Sequence, residues 1–197
     1  MLNTAIPKET LERIKHITLT LLALLFMASC QKAEDEFTTH ECYFSFNCTY
    51  HNASQLINAV NSYETFAIVT TKPLSGKAYT VVTSIYGAAD SEDHITNEME
   101  TQRAHILGLS NGLVIGRSSM DQTLYAFDRQ CPNCYAVSGI TAAPLSWADN
   151  GNTLKCPKCS RKYNVSGGGI ISEGEQGQKL LRYRITYDGT YIYVQNR

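Results

Sequence analysis

Over most of the chain, apolar positions gather in short blocks rather than at helical spacing. Residues 65–71 and 78–86 are nearly unbroken runs of β-branched and aromatic side chains, and Pro73 and Gly76 supply a turn between them, so two strands are predicted. Residues 42–50 alternate in part and read as a strand. Leu56, Ile57, Val60 and Tyr63 then fall at i, i+1, i+4 and i+7 behind Asn52 or Ser54, which predicts a short capped helix. Residues 87–99 are polar and acidic and read as a loop with at most a helical turn. Further strands are predicted over 105–109, 113–118, 123–129, 181–187 and 190–195. Asn111-Gly112 and Asp188-Gly189 signal tight type I′ turns, whose central positions both need positive φ. From 131 to 172 the pattern loosens into Gly- and Pro-containing loops. Closely spaced strands without helical crossovers predict an antiparallel all-β domain over residues 41–197.

The N-terminus has a different pattern. Ile14-Lys15-His16 leads into an apolar run over residues 17–28, too short to cross a bilayer, for which ~20 apolar residues are needed. A basic flank, a short apolar core and small residues before a break make residues 1–29 a secretory signal. Met27-Ala28-Ser29-Cys30 resembles the bacterial lipoprotein signal, in which the Cys is lipidated and becomes the new N-terminus; a plain signal peptide cleaved near Ala28 is the competing reading. Lipidation would anchor the chain, since each buried methylene of an acyl chain contributes ~0.8 kcal/mol. Residues 30–40 then form a lipidated N-terminus and polar tether. Its Lys32-Ala33-Glu34-Asp35-Glu36 stretch resembles the Lys-plus-acidic stretch that sends some Gram-negative lipoproteins to the outer face of the outer membrane, with a mere linker as the competing reading; Gln31 rather than Asp beside the Cys implies, by resemblance, the outer membrane, on its periplasmic or cell-surface side.

Charge removes one class of partner. The chain carries 17 Lys and Arg against 18 Asp and Glu, and beyond residue 29 the balance is 14 against 16. This is no polycation, so nucleic acid is not an expected partner.

The chemistry lies in the cysteines. Cys131-Pro132-Asn133-Cys134 and Cys156-Pro157-Lys158-Cys159 are two copies of C-P-x-C separated by 21 residues. A CxxC turn offers two thiolates to one metal, and two turns complete a four-sulfur tetrahedron. Lys155, Lys158, Arg161 and Lys162 stand beside the second pair, either offsetting the charge of the thiolates or forming a solvated basic loop. Two disulfides are the competing use of these cysteines in an oxidising compartment. A redox-active dithiol would want a thioredoxin-like βαβ context that is missing. Cys42 and Cys48, six apart in one strand, read as buried small hydrophobes.

The order of these segments resembles the Rieske iron–sulfur domains. Residues 112–117 and 124–132 look like the approach to the first cluster loop, 156–168 like the second loop and the strand after it, and 181–183 with 188–194 like the closing hairpin. The resemblance covers about 112–195 and implies an antiparallel β-sandwich or barrel with two metal-binding knuckle loops. It also implies a [2Fe–2S] cluster or a single iron passing electrons to a redox partner protein. Cys131 and Cys156 match the family's two Cys ligands. Asn133 and Cys159 stand where its two His ligands would be, and no His follows His105. A Pro-containing third loop is also missing, because residues 173–178 hold no Pro. With thiolates alone, a cluster here would have a low, ferredoxin-like potential with little pH dependence.

Two classes of function emerge. One is a membrane-anchored electron-transfer domain with iron on Cys131, Cys134, Cys156 and Cys159. The other is a non-catalytic surface lipoprotein module in which the same four cysteines hold zinc as a staple. His40, His51, His94 and His105 lack metal-ligand spacing. Asp93-His94 has no accompanying nucleophile motif, and Trp147 reads as a core anchor. No catalytic constellation is expected.

Overall fold

The computed structural model describes residues 36–102 and 105–196; the signal segment, Cys30 and the tether to residue 35 lie outside them. Twelve strands form two antiparallel sheets. The large sheet runs β1(Tyr43–Asn47), β12(Tyr191–Gln195), β11(Arg182–Tyr187), β6(Leu124–Asp128), β5(Gly112–Arg117), β2(Thr65–Pro73), β3(Tyr79–Ile85) and β4(Ser91–Ile95) in spatial order. The small sheet is β10(Ile170–Glu173), β9(Lys162–Asn164), β8(Thr153–Lys155) and β7(Ser146–Ala148). The fold is all-β, as the sequence pattern predicts.

The unbroken apolar runs have a simple cause. Phe66, Ala67, Ile68 and Val69 are all buried, and so are Leu113, Val114 and Ile115, because both faces of this sheet are covered. Successive side chains point to opposite faces. Ala67, Val69, Leu113 and Ile115 join one core cluster with Phe44, Phe46 and Ile192. Phe66, Ile68, Val114 and Phe127 join a second cluster with Leu145, Leu154, Tyr163 and the cysteines of the knuckles. Helix α1(Gln55–Asn61) closes the first cluster with Leu56, Ala59 and Val60, and Ser54 caps it by accepting from the N–H of Leu56 (3.3 Å). Each large side chain buried this way contributes about 1.5–3 kcal/mol.

Several segments differ from the expected pattern. The acidic stretch 87–99 contains β4, whose Ser-Glu-Asp-His-Ile sequence carries charge on the sheet's outer edge and so lacks an apolar signature. It is followed by the one-turn helix α2(Glu98–Thr101), capped by Asn97. Residues 105–109 make only an isolated bridge, Ile106 to Tyr43, while Asp128 takes the N–H of Leu109. Asn111 has φ 51°, but Gly112 already belongs to β5, so no type I′ turn forms there. The β11–β12 hairpin forms through residues 188–190, where Asp188 Oδ1 accepts from the N–H groups of Thr190 (2.8 Å) and Tyr191 (2.7 Å).

Residues 36–40, read as the end of the tether, lie against the domain. Glu36 pairs with Arg182, Phe37 lies under the guanidiniums of Arg182 and Arg184, and the Thr38 N–H bonds the Arg182 carbonyl (2.8 Å). His40 meets the Tyr135 ring edge-on.

Candidate metal centre

The first knuckle grows directly from the large sheet. Asp128, fully buried at the end of β6, accepts from the backbone N–H groups of Leu109 (2.8 Å) and Gln130 (2.7 Å) and from the Tyr183 hydroxyl (2.8 Å). This fixes the exit of the chain. Cys131 follows as the cap of helix α3(Pro132–Ser138), whose Pro at the first position presets the helical φ. One helical turn carries Cys134 to the same side as Cys131. The second knuckle is the tip of the β8–β9 hairpin. Its turn closes through Cys156 N–H to Arg161 O and Ser160 N–H to Cys156 O, both 3.0 Å, and the Cys159 N–H points at Cys156 Sγ (3.5 Å).

The small sheet brings the two knuckles together. Sγ of Cys131 lies 3.7 Å from that of Cys159, and Sγ of Cys134 lies 3.6 Å from that of Cys156. All four sulfurs lie within 4.8 Å of one another. An ion with metal–sulfur bonds of about 2.3 Å has tetrahedral edges of about 3.8 Å, so this spacing fits one metal bound by four thiolates. The separations are far longer than a disulfide bond, and all six described cysteines are free. Among the described residues this is the one cluster of His, Cys, Asp or Glu side chains close enough to share an ion.

The thiols differ in how readily they ionise. Burial pushes the thiols of Cys134 and Cys156 up from their ordinary range. At Cys159 burial also pushes upward, but the Arg161 backbone N–H and guanidinium outweigh it and bring the thiol down to about 6. One thiolate is therefore poised, while the more buried sulfurs ionise once a metal supplies charge.

Two residues beyond the cysteines organise the centre. Tyr163, fully buried on β9, places its hydroxyl 3.2 Å from Cys131 Sγ. Asn133 donates to that hydroxyl (2.9 Å), which directs the Tyr163 proton toward sulfur. Asn133 also binds the backbone of Gln178 twice, donating to its carbonyl (2.8 Å) and accepting from its N–H (2.9 Å). The loop after β10 is thereby tied to the first knuckle. Gly177 permits this approach, because a Cβ there would lie 2.2 Å from Asn133 Oδ1. In the sequence Asn133 stands out only by its place between two cysteines, and nothing there marks its tie to Gln178.

The basic residues divide. Lys155 and Lys158 are exposed. Arg161 pairs with Glu175 (2.6 Å), and Lys162 pairs with Asp149 (2.9 Å) and Glu173 (3.0 Å). Trp147 lies on β7, bonds Ser84 O through Nε1 (3.3 Å) and packs on the second core cluster, the anchoring role expected of it. Cys42 and Cys48 are buried, their thiols raised by burial to about 12 and about 11. Asp93 faces His51 (3.9 Å) rather than His94, whose Nδ1 meets the Thr80 hydroxyl (2.9 Å), so the adjacent Asp93-His94 pair is not a dyad.

No protein-family model matches the chain, and no curated protein matches it.

Proposed function

We propose that this protein is a Rieske-like membrane lipoprotein in which Cys131, Cys134, Cys156 and Cys159 hold a single tetrahedral zinc ion as a structural staple. The observation that carries this reading is the compactness of the four sulfurs, all within 4.8 Å of one another. In a two-iron cluster the thiolate pairs sit on different irons and point away from each other, so their cross-distances exceed a tetrahedral edge. One ion therefore fits better than a [2Fe–2S] centre. Four thiolates and no open position are the donor set of a structural zinc site.

A second reading, a single iron passing electrons to a partner protein, draws support from Cys159. It is the least buried of the four sulfurs and so offers a path for an electron. Metal analysis with visible absorption separates the two. A colourless protein with one zinc per chain supports the staple. A coloured protein with one iron supports the carrier, and two irons with acid-labile sulfide would overturn the single-ion geometry.

Anchoring at the outer membrane rests on Met27-Ala28-Ser29-Cys30 and the polar stretch after it. Cys30→Ala is expected to release the domain from membranes or to block processing. Soluble wild-type protein with an unmodified Cys30 would remove the lipid from the account.

A further inference from the structure

Where β7 approaches the β2–β3 part of the large sheet, a cleft of about 250 Å³ remains open. Its apolar lining comes from the buried side chains of Ile68 and Val82, with the Trp147 indole beside them. Arg129 and Asp90 also line it.

The arginine is the unusual element. Its stem lies across Gly112, where a Cβ would come within 2.7 Å of Cδ, and its Nε donates to Leu145 O (2.8 Å). The far end of the stem is thus held in place where the guanidinium begins. Its two Nη groups have no hydrogen bond or carboxylate partner among the described residues, although Arg161, Lys162, Lys72 and Arg182 are all paired with acids. A half-buried guanidinium that presents a fixed fork without a counter-ion matches a carboxylate in shape and charge. Thr70, Ser84 and Ser146 line the same space, and their hydroxyls form no hydrogen bond within the described residues. Asp90 forms no ion pair with Arg129 or any other described residue, so the cleft offers one unpaired charge of each sign.

We propose that this cleft binds a small carboxylate with a short apolar body, its carboxylate on the Arg129 fork and its body on Ile68 and Val82. Asp90 selects molecules that also carry a positive group, which makes a small zwitterionic amino acid the matching class. The site uses none of the four cysteines, so it stands or falls independently of the metal.

The protein carries its own reporter. Trp147 is the single tryptophan of the chain and lines the cleft, so its fluorescence reads binding directly. The metal-loaded protein is titrated with propionate, alanine and, at matched ionic strength, sodium chloride. The expected result is a saturable change with propionate, a tighter one with alanine, and none with chloride. Thr70→Glu places a competing carboxylate opposite the fork on a half-exposed strand position, and it should weaken alanine binding by about tenfold or more. Arg129→Lys keeps the charge and loses the fork, and it should weaken binding by a similar factor. Metal content and circular dichroism of both variants report that they are folded. A response equal to that of chloride, or unchanged binding in folded Thr70→Glu and Arg129→Lys proteins, overturns the site. Alanine binding no tighter than propionate overturns the role of Asp90.

Discussion

In the large sheet, β2 and β5 bury seven consecutive-run side chains between them, from Phe66 to Val69 and from Leu113 to Ile115, and both faces contribute. In the small sheet, β7 to β10 are three or four residues long, and only Leu154 and Tyr163 among their residues are fully buried. Strands so short and so exposed do not hold a sheet by area alone. Leu154 and Tyr163 tie them to the second core cluster, and on the reading proposed above a metal on the four sulfurs at the hairpin tip and at α3 supplies the rest. One region is stabilised by distributed apolar burial, in which each residue supplies a small share. The other, on the reading proposed above, depends on a few atoms, and losing one of them would be felt throughout it.

The sharpest way to break this contrast is to take away the metal proposed for the knuckles. Structural four-cysteine sites are worth on the order of 10 kcal/mol of apparent binding free energy near neutral pH. Chelation, or Cys156→Ser, should open amide exchange over residues 146–173 while β2, β3 and β5 stay protected. Cys42→Ala should leave metal content unchanged. If both sheets lose protection together at the same chelator concentration, the two regions are one cooperative unit and the comparison fails.

A core truncation acts on the other side. Ile115→Ala removes a fully buried side chain from the first core cluster and should cost about 3 kcal/mol in denaturant unfolding. The folded fraction should keep its full metal content. A large fall in metal affinity without loss of the large sheet would show that the core supports the knuckles more directly than the packing indicates.

These two regions also differ in how far their sequences disclose them. Continuous apolar runs announce β2, β3 and β5, since a strand covered on both faces needs no alternation. The twin C-P-x-C spacing announces all four sulfurs, because the chemistry demands those residues at that spacing. The strands between the knuckles stay hidden, because Ser-Trp-Ala and Thr-Leu-Lys are too short for periodicity to show; Lys-Tyr-Asn, after the second knuckle, is marked only by the resemblance of residues 156–168 to a loop and the strand after it. The strand β4 is hidden by its edge charges. The staple from Asn133 to Gln178 spans 45 residues of chain and depends on a tertiary approach that no local pattern encodes.

That staple gives a smaller, local test. Asn133→Ala removes two bonds to Gln178 and one to Tyr163, and it should cost about 1–2 kcal/mol, since the bonds lost are partly exposed. Proteolysis within 174–178 should speed up, while the metal stays. Loss of metal in this variant would move Asn133 from the loop's anchor to the centre's own support.

The smallest effect is one of pH, and it separates the two sheets by where each responds to acid. At the knuckles, protons would compete with the proposed metal for thiolates, so the ion would be lost as acidity rises. In the large sheet, the β5–β6 hairpin carries Asp121, whose carboxylate accepts from the Tyr125 hydroxyl (2.6 Å) and from the Thr123 N–H (3.0 Å). The Tyr125 bond is the main reason that its carboxyl is held down at about 2, against an ordinary value of 3.8. A folded-state value below the unfolded one means that the unfolded chain binds more protons in that window. Asp121 therefore contributes stability in full above about pH 4, and the contribution is lost as pH falls through about 2. Asp121→Asn cannot titrate and should flatten that part of the acid limb, while leaving the pH of metal release unchanged. The measurement is urea unfolding of the large sheet at several pH values between 2 and 4, alongside a metal-release titration. The same steepness of the acid limb in variant and wild type would mean that the Tyr125 bond does not survive in solution. A shift in metal release would mean that the hairpin and the knuckles are coupled after all.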